Sequence, residues 1–292
     1  MRNKLFIVAA IAASVLLISQ AHAKVINGNF CSEANVADPP AGLYSSGQWN
    51  DLTSATGGFS GSGTAYGSAG GGVLTYDDGS DVSGNVSVSW TGEPAAAQNT
   101  NDGVYRPFPP ATIGAHIDDG HDQLMSGYLQ VPYESATTPT IVFSGSGLHS
   151  AYEGDYGLVL YSDGDDDVEG TGNGQVTFSV WTTEADYLAN PLNPLARVFG
   201  RDASDFAVDH TVAGDKSDYV QITSTVNGSP TEGNYVEFSG LESDSFYVRI
   251  EGQTDVHGAA LNGFEIVPEP ATMAILGLGG VAVLIRRRRR IA

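Results

Sequence analysis

The chain has 292 residues, with 34 acidic against 13 basic side chains and a formal net charge of −21. So acidic a polymer repels nucleic acid and anionic lipid, which excludes polyanions as partners, and it attracts divalent cations. The single cysteine, Cys31, excludes an intramolecular disulfide, so stability must come from a packed core or a bound metal.

In chain order, Arg2 and Lys4 precede an apolar segment from Leu5 to Ile18, and Ala21-His22-Ala23 follows with small residues two apart. This order predicts a signal peptide over residues 1–23, carried by the Sec translocon and cut after Ala23, with Ala21 and Ala23 as the small residues of the cleavage site. No cysteine near the cut suits lipid attachment. Glu269 is the one acidic residue outside residues 24–267, so that body keeps 33 acidic against 6 basic side chains, a formal charge of −27. Its length is ample for one core.

Residues 24–30 read as a first short strand. Residues 31–72 are rich in Gly, Ser, Ala and Pro, with Trp49 and Leu52 expected in the core and Phe59 and Tyr66 over a sheet. Residues 73–76 lead into the acidic turn Asp77-Asp78-Gly79-Ser80-Asp81. Residues 85–90 then alternate, with Val86, Val88 and Trp90 on one face. Four prolines make residues 93–113 irregular, and strands are expected at 127–131 and 140–143. Residues 156–161 are nearly all apolar or aromatic. After a second acidic loop, Val176, Phe178 and Val180 alternate within 175–181. Residues 184–188 suit one helical turn ended by Pro191 and Pro194. Strands are expected at 219–226, 234–238, 246–250 and 262–267, with Phe246, Val248 and Ile250 inward and Tyr247 and Arg249 outward.

Short strands with turn chemistry between them predict an all-β fold, a single antiparallel β-sandwich of jelly-roll type. A signal helix flanks it at the N-terminus and an apolar helix at the C-terminus. Residues 74–90 and 160–181 echo each other: an aromatic, an acidic turn, an alternating strand and a closing tryptophan. This is expected to reflect two similar hairpins.

Hard cations want several oxygen ligands, and acidic turns supply them. Asp163, Asp165 and Asp167 have the alternating spacing that opens an EF-hand loop. Val168 stands where that loop needs glycine, and Gly174 where it needs a bidentate glutamate, so it is not an EF-hand; the favoured reading is a solvated acidic loop, and the alternative is a calcium turn of another type. The turn at Asp77, Asp78 and Asp81 is a weaker version. Asp118-Asp119-Gly120-His121-Asp122, with His116 nearby, lacks zinc spacing and a cysteine partner. No nucleophile elbow, dinucleotide or Walker pattern occurs, so no catalytic residue and no required cofactor are expected. Outward aromatics such as Tyr247, Trp181 and Tyr161 could stack on sugars; the alternative is that they pack.

The tail has three parts. Pro268-Glu269-Pro270 is too rigid to begin a long helix or join a central strand, and is expected to stand extended and exposed. Residues 271–285 carry no charge and reach roughly 22 Å as a helix, short of the roughly 30 Å hydrocarbon core. Arg286, Arg287, Arg288, Arg289 and Arg290 then stop transfer and hold the C-terminus in the cytoplasm. A simple single-span anchor is one reading. The order of motif, short span and basic cluster over residues 267–290 resembles the PEP-CTERM sorting signal of bacterial surface proteins. That resemblance implies processing by an exosortase, a membrane cysteine protease or transpeptidase, and a producer that makes an exopolysaccharide envelope. The Leu-Pro-x-Thr-Gly type motif of sortase substrates is absent.

Three segments thus emerge: a signal peptide at 1–23, an extracytoplasmic domain at 24–267, and a sorting signal at 268–292 with its membrane segment at 271–285. The body is also similar to uncharacterised PEP-CTERM surface proteins, through Trp49-Asn50-Asp51-Leu52, Asp122-Gln123-Leu124-Met125, Gly233-Asn234-Tyr235-Val236-Glu237-Phe238 and Ala259-Ala260-Leu261-Asn262-Gly263-Phe264. The last of these resembles the closing strand of galactose-binding-like jelly rolls. The expected function is that of a non-enzymatic exported surface or matrix protein, anchored transiently in the membrane. The alternative is a lectin-like or weakly carbohydrate-active domain that binds exopolysaccharide or another glycan.

Overall fold

The computed structural model describes residues 24–30, 42–45, 48–50, 52, 62–66, 74–82, 85–91, 104–105, 124, 128–130, 140–162, 175–202, 219–252 and 260–269. Val25–Glu269 form one compact unit. Its strands are β1 (Ile26–Asn29), β2 (Ser62–Tyr66), β3 (Ser87–Thr91), β4 (Val104–Tyr105), β5 (Tyr128–Gln130) and β6 (Thr140–Ser146), then β7 (Tyr156–Tyr161), β8 (Gln175–Trp181) and β9 (Ala196–Asp202). They continue as β10 (Thr231–Gly233), β11 (Tyr235–Leu241), β12 (Ser245–Gly252), β13 (Ala260–Leu261) and β14 (Gly263–Pro268). Two short helices interrupt them, α1 (Leu148–Tyr152) before β7 and α2 (Glu184–Ala189) before β9. The protein is all-β.

Two sheets carry the fold. A four-stranded sheet has the order β1-β14-β7-β11, and a seven-stranded sheet the order β10-β9-β8-β12-β6-β3-β2. A small third sheet joins β13, β5 and β4. Pairing is antiparallel except between β10 and β9.

The alternation of apolar residues explains why the two sheets share a core. Val176, Phe178 and Val180 of β8, Phe246, Val248 and Ile250 of β12, and Val88 and Trp90 of β3 are buried together with Leu158 and Leu160 of β7 and Phe264 and Ile266 of β14. The ring of Phe143 on β6 meets that of Phe264 at 4.7 Å and that of Phe246 at 5.3 Å, so rings from both sheets touch at the centre. Each such ring contributes about 1.5–3 kcal/mol through the area it removes from water. Gly28 of β1 lies under the Phe264 ring so closely that a Cβ would collide with it and with Leu52. β7 is buried along its whole length because both its faces are covered. Val159 and Tyr161 pack on the second face, with Leu124 and Tyr219.

Several expectations change. In the first half of the echo Thr75 and Asp81 bridge antiparallel across the acidic turn, but the second half is not a hairpin: β7 pairs with β14 and β11 in one sheet, whereas β8 pairs with β12 and β9 in the other. The chain crosses between sheets there. The two tryptophans also differ, Trp90 lying against Phe30 in the shared core and Trp181 against Tyr187. Residues 219–226 make isolated bridges, Gln221 to Tyr235 and Ser224 to Phe199, instead of a strand. There the Thr231 hydroxyl accepts from the backbone N–H of Thr223 and Ser224 and competes with a ladder. Conversely, β9 arises where no strand was expected. Val198 and Gly200 turn inward on it, and Ile222 fills the space beside Gly200.

Candidate functional site

The junction between body and tail is built by β14. Its register runs from Gly263 opposite Tyr161 to Pro268 opposite Tyr156. Proline offers no N–H to a ladder, and Pro268 lies beyond the last residue of β14 that β1 pairs, so only β7 flanks it there. The next residue is held by backbone. The Glu269 N–H donates to the Asp155 carbonyl at 3.0 Å, and the Glu269 carboxylate accepts from the Gly240 N–H. Gly240 has φ +67 and sits where the β11–β7 register shifts between Phe238 and Leu241, a bulge that frees its N–H from the ladder. The expectation that the tripeptide cannot join a central strand changes at Pro268, whereas Glu269 is exposed. Pro268 closes a strand internal to the four-stranded sheet, and Glu269, although exposed, is docked on two backbone groups.

Other expected site residues lie outside the described residues: Ala21 and Ala23, Pro270, the five arginines, the loop with Asp163, Asp165 and Asp167, and the stretch around His121. The first acidic turn is described, and its carboxylates serve the backbone. Asp77 accepts from the Val25 N–H at 3.1 Å and Asp78 from the Ser80 N–H at 2.8 Å. Among the described residues no group of three His, Cys, Asp or Glu side chains could hold a metal ion.

Of the two readings of the aromatics, packing holds. Tyr161, Trp181 and Tyr247 are 0%, 3% and 7% exposed, so none offers an open ring to a sugar. Tyr161 belongs to a polar network under residues 42–45 and 48–50. Its hydroxyl donates to the fully buried Glu265 at 2.6 Å and accepts from the Leu43 N–H at 2.7 Å. Glu265 also accepts from the Ser45 N–H at 2.6 Å and the Tyr44 N–H at 3.2 Å. Burial first, then the neighbouring Glu265, pushes the Tyr161 hydroxyl well above its ordinary pKa. Asn27 extends the network, donating to the Ser45 hydroxyl and the Gln48 carbonyl, and Asn50 ties it to Thr75. Nothing in the local pattern of β14 marks Glu265 as buried, since these partners lie 104 to 221 residues away in the sequence.

The outer face of the seven-stranded sheet differs. Cross-strand register sets Ser87, Ser146 and Ser245 in one row and Ser89, Ser144 and Tyr247 in the next. The hydroxyls of Ser87 and Ser146 are 2.8 Å apart. Tyr187 of α2 stacks on Tyr247 at 5.4 Å, and the Arg249 guanidinium lies 4.6 Å from the Tyr187 ring centroid. Arg249 donates to Glu251 at 2.9 Å and to the Tyr187 hydroxyl. Tyr187 and Arg249, half-buried, thus supply the aromatic and polar surface that the sequence had assigned to the rings beneath them.

Residues 267–290 match the PEP-CTERM protein-sorting motif. The PEP-CTERM tail makes this an exported protein sorted through an exosortase, with a transiently membrane-anchored C-terminal signal and the cell surface as its destination. The match begins at Val267, inside β14, so fold and signal overlap by two strand residues. A comparison with curated proteins finds no match. Among the described residues no helix is long and apolar enough to cross a membrane; the apolar run at 271–285 lies outside them.

Proposed function

We propose that the body is a jelly-roll β-sandwich serving as a non-enzymatic component of the cell surface or extracellular matrix. It is exported by Sec behind a signal helix, held briefly by an apolar C-terminal helix, and released when an exosortase processes the Pro268-Glu269-Pro270 tail. The overlap of the sorting motif with β14 carries this reading, because it couples a finished fold directly to a processing signal. The nested pairing of β1 with β14, β6 with β12, β7 with β11 and β8 with β9 supports the jelly roll, since it is the pattern of one long hairpin rolled into two sheets. A non-enzymatic role is supported by the use of Asp77, Asp78, Glu265 and Glu269 as acceptors for backbone N–H groups. Mass spectrometry of the mature protein from its host tests the reading. The expected mass lacks residues 1–23 and the tail beyond the motif. Intact chain in the cytosol would overturn it.

A second reading, glycan binding, is favoured by one observation: Tyr187 and Arg249 border the hydroxyl rows on the outer face of the seven-stranded sheet. A glycan array on the exported protein, with reducing-sugar release for weak hydrolysis, separates the two. Binding that disappears in Tyr187→Ala selects the second reading, and silence on both selects the first. Calcium at Asp163, Asp165 and Asp167 is a further proposal, checked by thermal unfolding. Millimolar calcium should raise the melting temperature, and curves that superimpose with and without chelator would remove the site.

A further inference from the structure

The end of the body from which the tail leaves also carries the most exposed large apolar side chains among the described residues. At that end of the four-stranded sheet, Pro268 and Leu241 both lie opposite Tyr156. The turn after Leu241 enters β12 at Ser245, whose hydroxyl donates to the Thr182 carbonyl at 2.9 Å. Thr182 opens the connection from β8 through α2 to β9, and this connection returns when the Leu195 N–H donates to the Val180 carbonyl at 2.8 Å. Leu188, Leu192 and Leu195 on it are 69%, 83% and 63% exposed.

No charged residue stands between Leu188 and Leu195, in a body that carries 33 acidic side chains. The loop is fixed, not slack. The Thr183 hydroxyl caps α2 by accepting from the Asp186 N–H, the Asn190 N–H donates to the Asp186 carbonyl, and the Asn193 N–H donates to the Asn190 carbonyl. Arg197 reaches back to the Pro191 carbonyl. Three leucines held outward on a braced neutral loop form a patch that water disfavours and an interface would cover.

Chain length says what covers it. Pro270 alone separates Glu269 from the apolar run that starts at Ala271. Two steps of about 3.8 Å keep Glu269 within roughly 8 Å of that run. The run reaches roughly 22 Å against a hydrocarbon core of roughly 30 Å, so it has no residues to lend to a spacer. While the tail is anchored, this end of the body therefore stands among the lipid headgroups.

We infer that Leu188, Leu192 and Leu195 rest in the interfacial layer of a zwitterionic lipid surface during the anchored stage and orient the body for processing. The inference rests on the sorting reading above. Glu153, Asp155, Glu184, Asp186, Glu242 and Asp244 surround this end and oppose an anionic surface. The contact holds only while the anchor keeps the loop at high effective concentration beside the bilayer, and it lets go once the tail is cut.

The test uses the full chain in phosphatidylcholine vesicles, with Cys31→Ser and a bimane label on Leu192→Cys or, as a control far from this end, on Glu232→Cys. Lipids bearing a shallow doxyl quencher report contact. The expected result is flotation of both labelled proteins, with quenching at position 192 at least twofold stronger than at 232 and weakened when half the lipid is phosphatidylglycerol. Equal quenching at the two positions in floated vesicles overturns the inference. Self-quenching at 192 that rises with protein density, without lipid quenching, assigns the loop to a second copy and also overturns it. Failure to float removes the anchored state itself, and the inference with it.

Discussion

The outer faces of the two sheets obey one alternation and meet different covers. On the four-stranded sheet, residues 42–45 and 48–50 seal the face, and the seal is polar: a buried carboxylate, a tyrosine hydroxyl and two asparagines receive or supply every contact described above. On the seven-stranded sheet, among the described residues, the ring of Tyr187 covers Tyr247, and serine hydroxyls stand in the same and the neighbouring rows. Burial of a charge is costly unless it is fully bonded, whereas half-exposed polar groups keep water as an alternative partner. The first face should therefore govern stability, and the second should be free to serve recognition.

Removing Glu265 should break this contrast most visibly. Glu265→Ala leaves the Ser45 N–H and the Tyr161 hydroxyl buried without their acceptor, and takes one from the part-buried Tyr44 N–H, a loss of about 3 kcal/mol or more. On the other face, Glu251→Ala removes a partly exposed partner of Arg249 and should cost less than about 1 kcal/mol. Urea unfolding of both variants checks the ranking, and equal losses would mean that the polar seal is no more stabilising than a surface pair.

Two buried tyrosines of β7 sharpen the comparison at intermediate scale. The Tyr161 hydroxyl has partners on both sides, whereas that of Tyr156 is buried without a hydrogen bond among the described residues. Tyr161→Phe should lower stability by about 1.5–3 kcal/mol, and Tyr156→Phe should raise it by up to about 1 kcal/mol. Burial pushes the pKa of both up, as it does for Tyr152, and burial with Glu237 pushes Tyr44 up to about 12. The fold thus prefers the neutral phenol. Its contribution is complete below the ordinary value of 10.0 and is lost as pH rises through and beyond 12. A pH series of unfolding curves should fall in that window, and a flat profile would contradict the burial of these rings.

Much of this architecture could be read from residues alone, and the gaps have physical causes. β3, β8 and β12 declare themselves because one face meets the apolar core and the other carries polar side chains, which writes a period of two into Val176-Thr177-Phe178-Ser179-Val180. β9 hides because Arg197, Phe199 and Arg201 interrupt the apolar signal, and Gly200 substitutes for an inward side chain where Ile222 already fills the space. Tyr219, Val220 and Ile222 imitate a strand, but side-chain hydroxyls take its backbone donors. The sorting tail was legible as a motif because its chemistry is contiguous. Its docking was not, because Gly240 and Asp155 come from elsewhere in the chain.

The smallest effects test that docking. Gly240 adopts φ +67 with open space where a Cβ would point, so Gly240→Ala meets only backbone strain, about 1 kcal/mol. Glu269 is exposed, so Glu269→Gln should change global stability by no more than about 0.5 kcal/mol. The same exchange weakens the acceptor that holds the Gly240 N–H and alters the centre of the sorting motif. The two roles separate in the host. If docking hinders the processing enzyme, Gly240→Ala should speed tail removal while the motif stays intact, and Glu269→Gln should slow it despite a looser latch. Pulse-labelling of the anchored and released forms distinguishes these outcomes. Equal slowing by both variants would mean that the enzyme reads the docked strand end and the free motif as one surface.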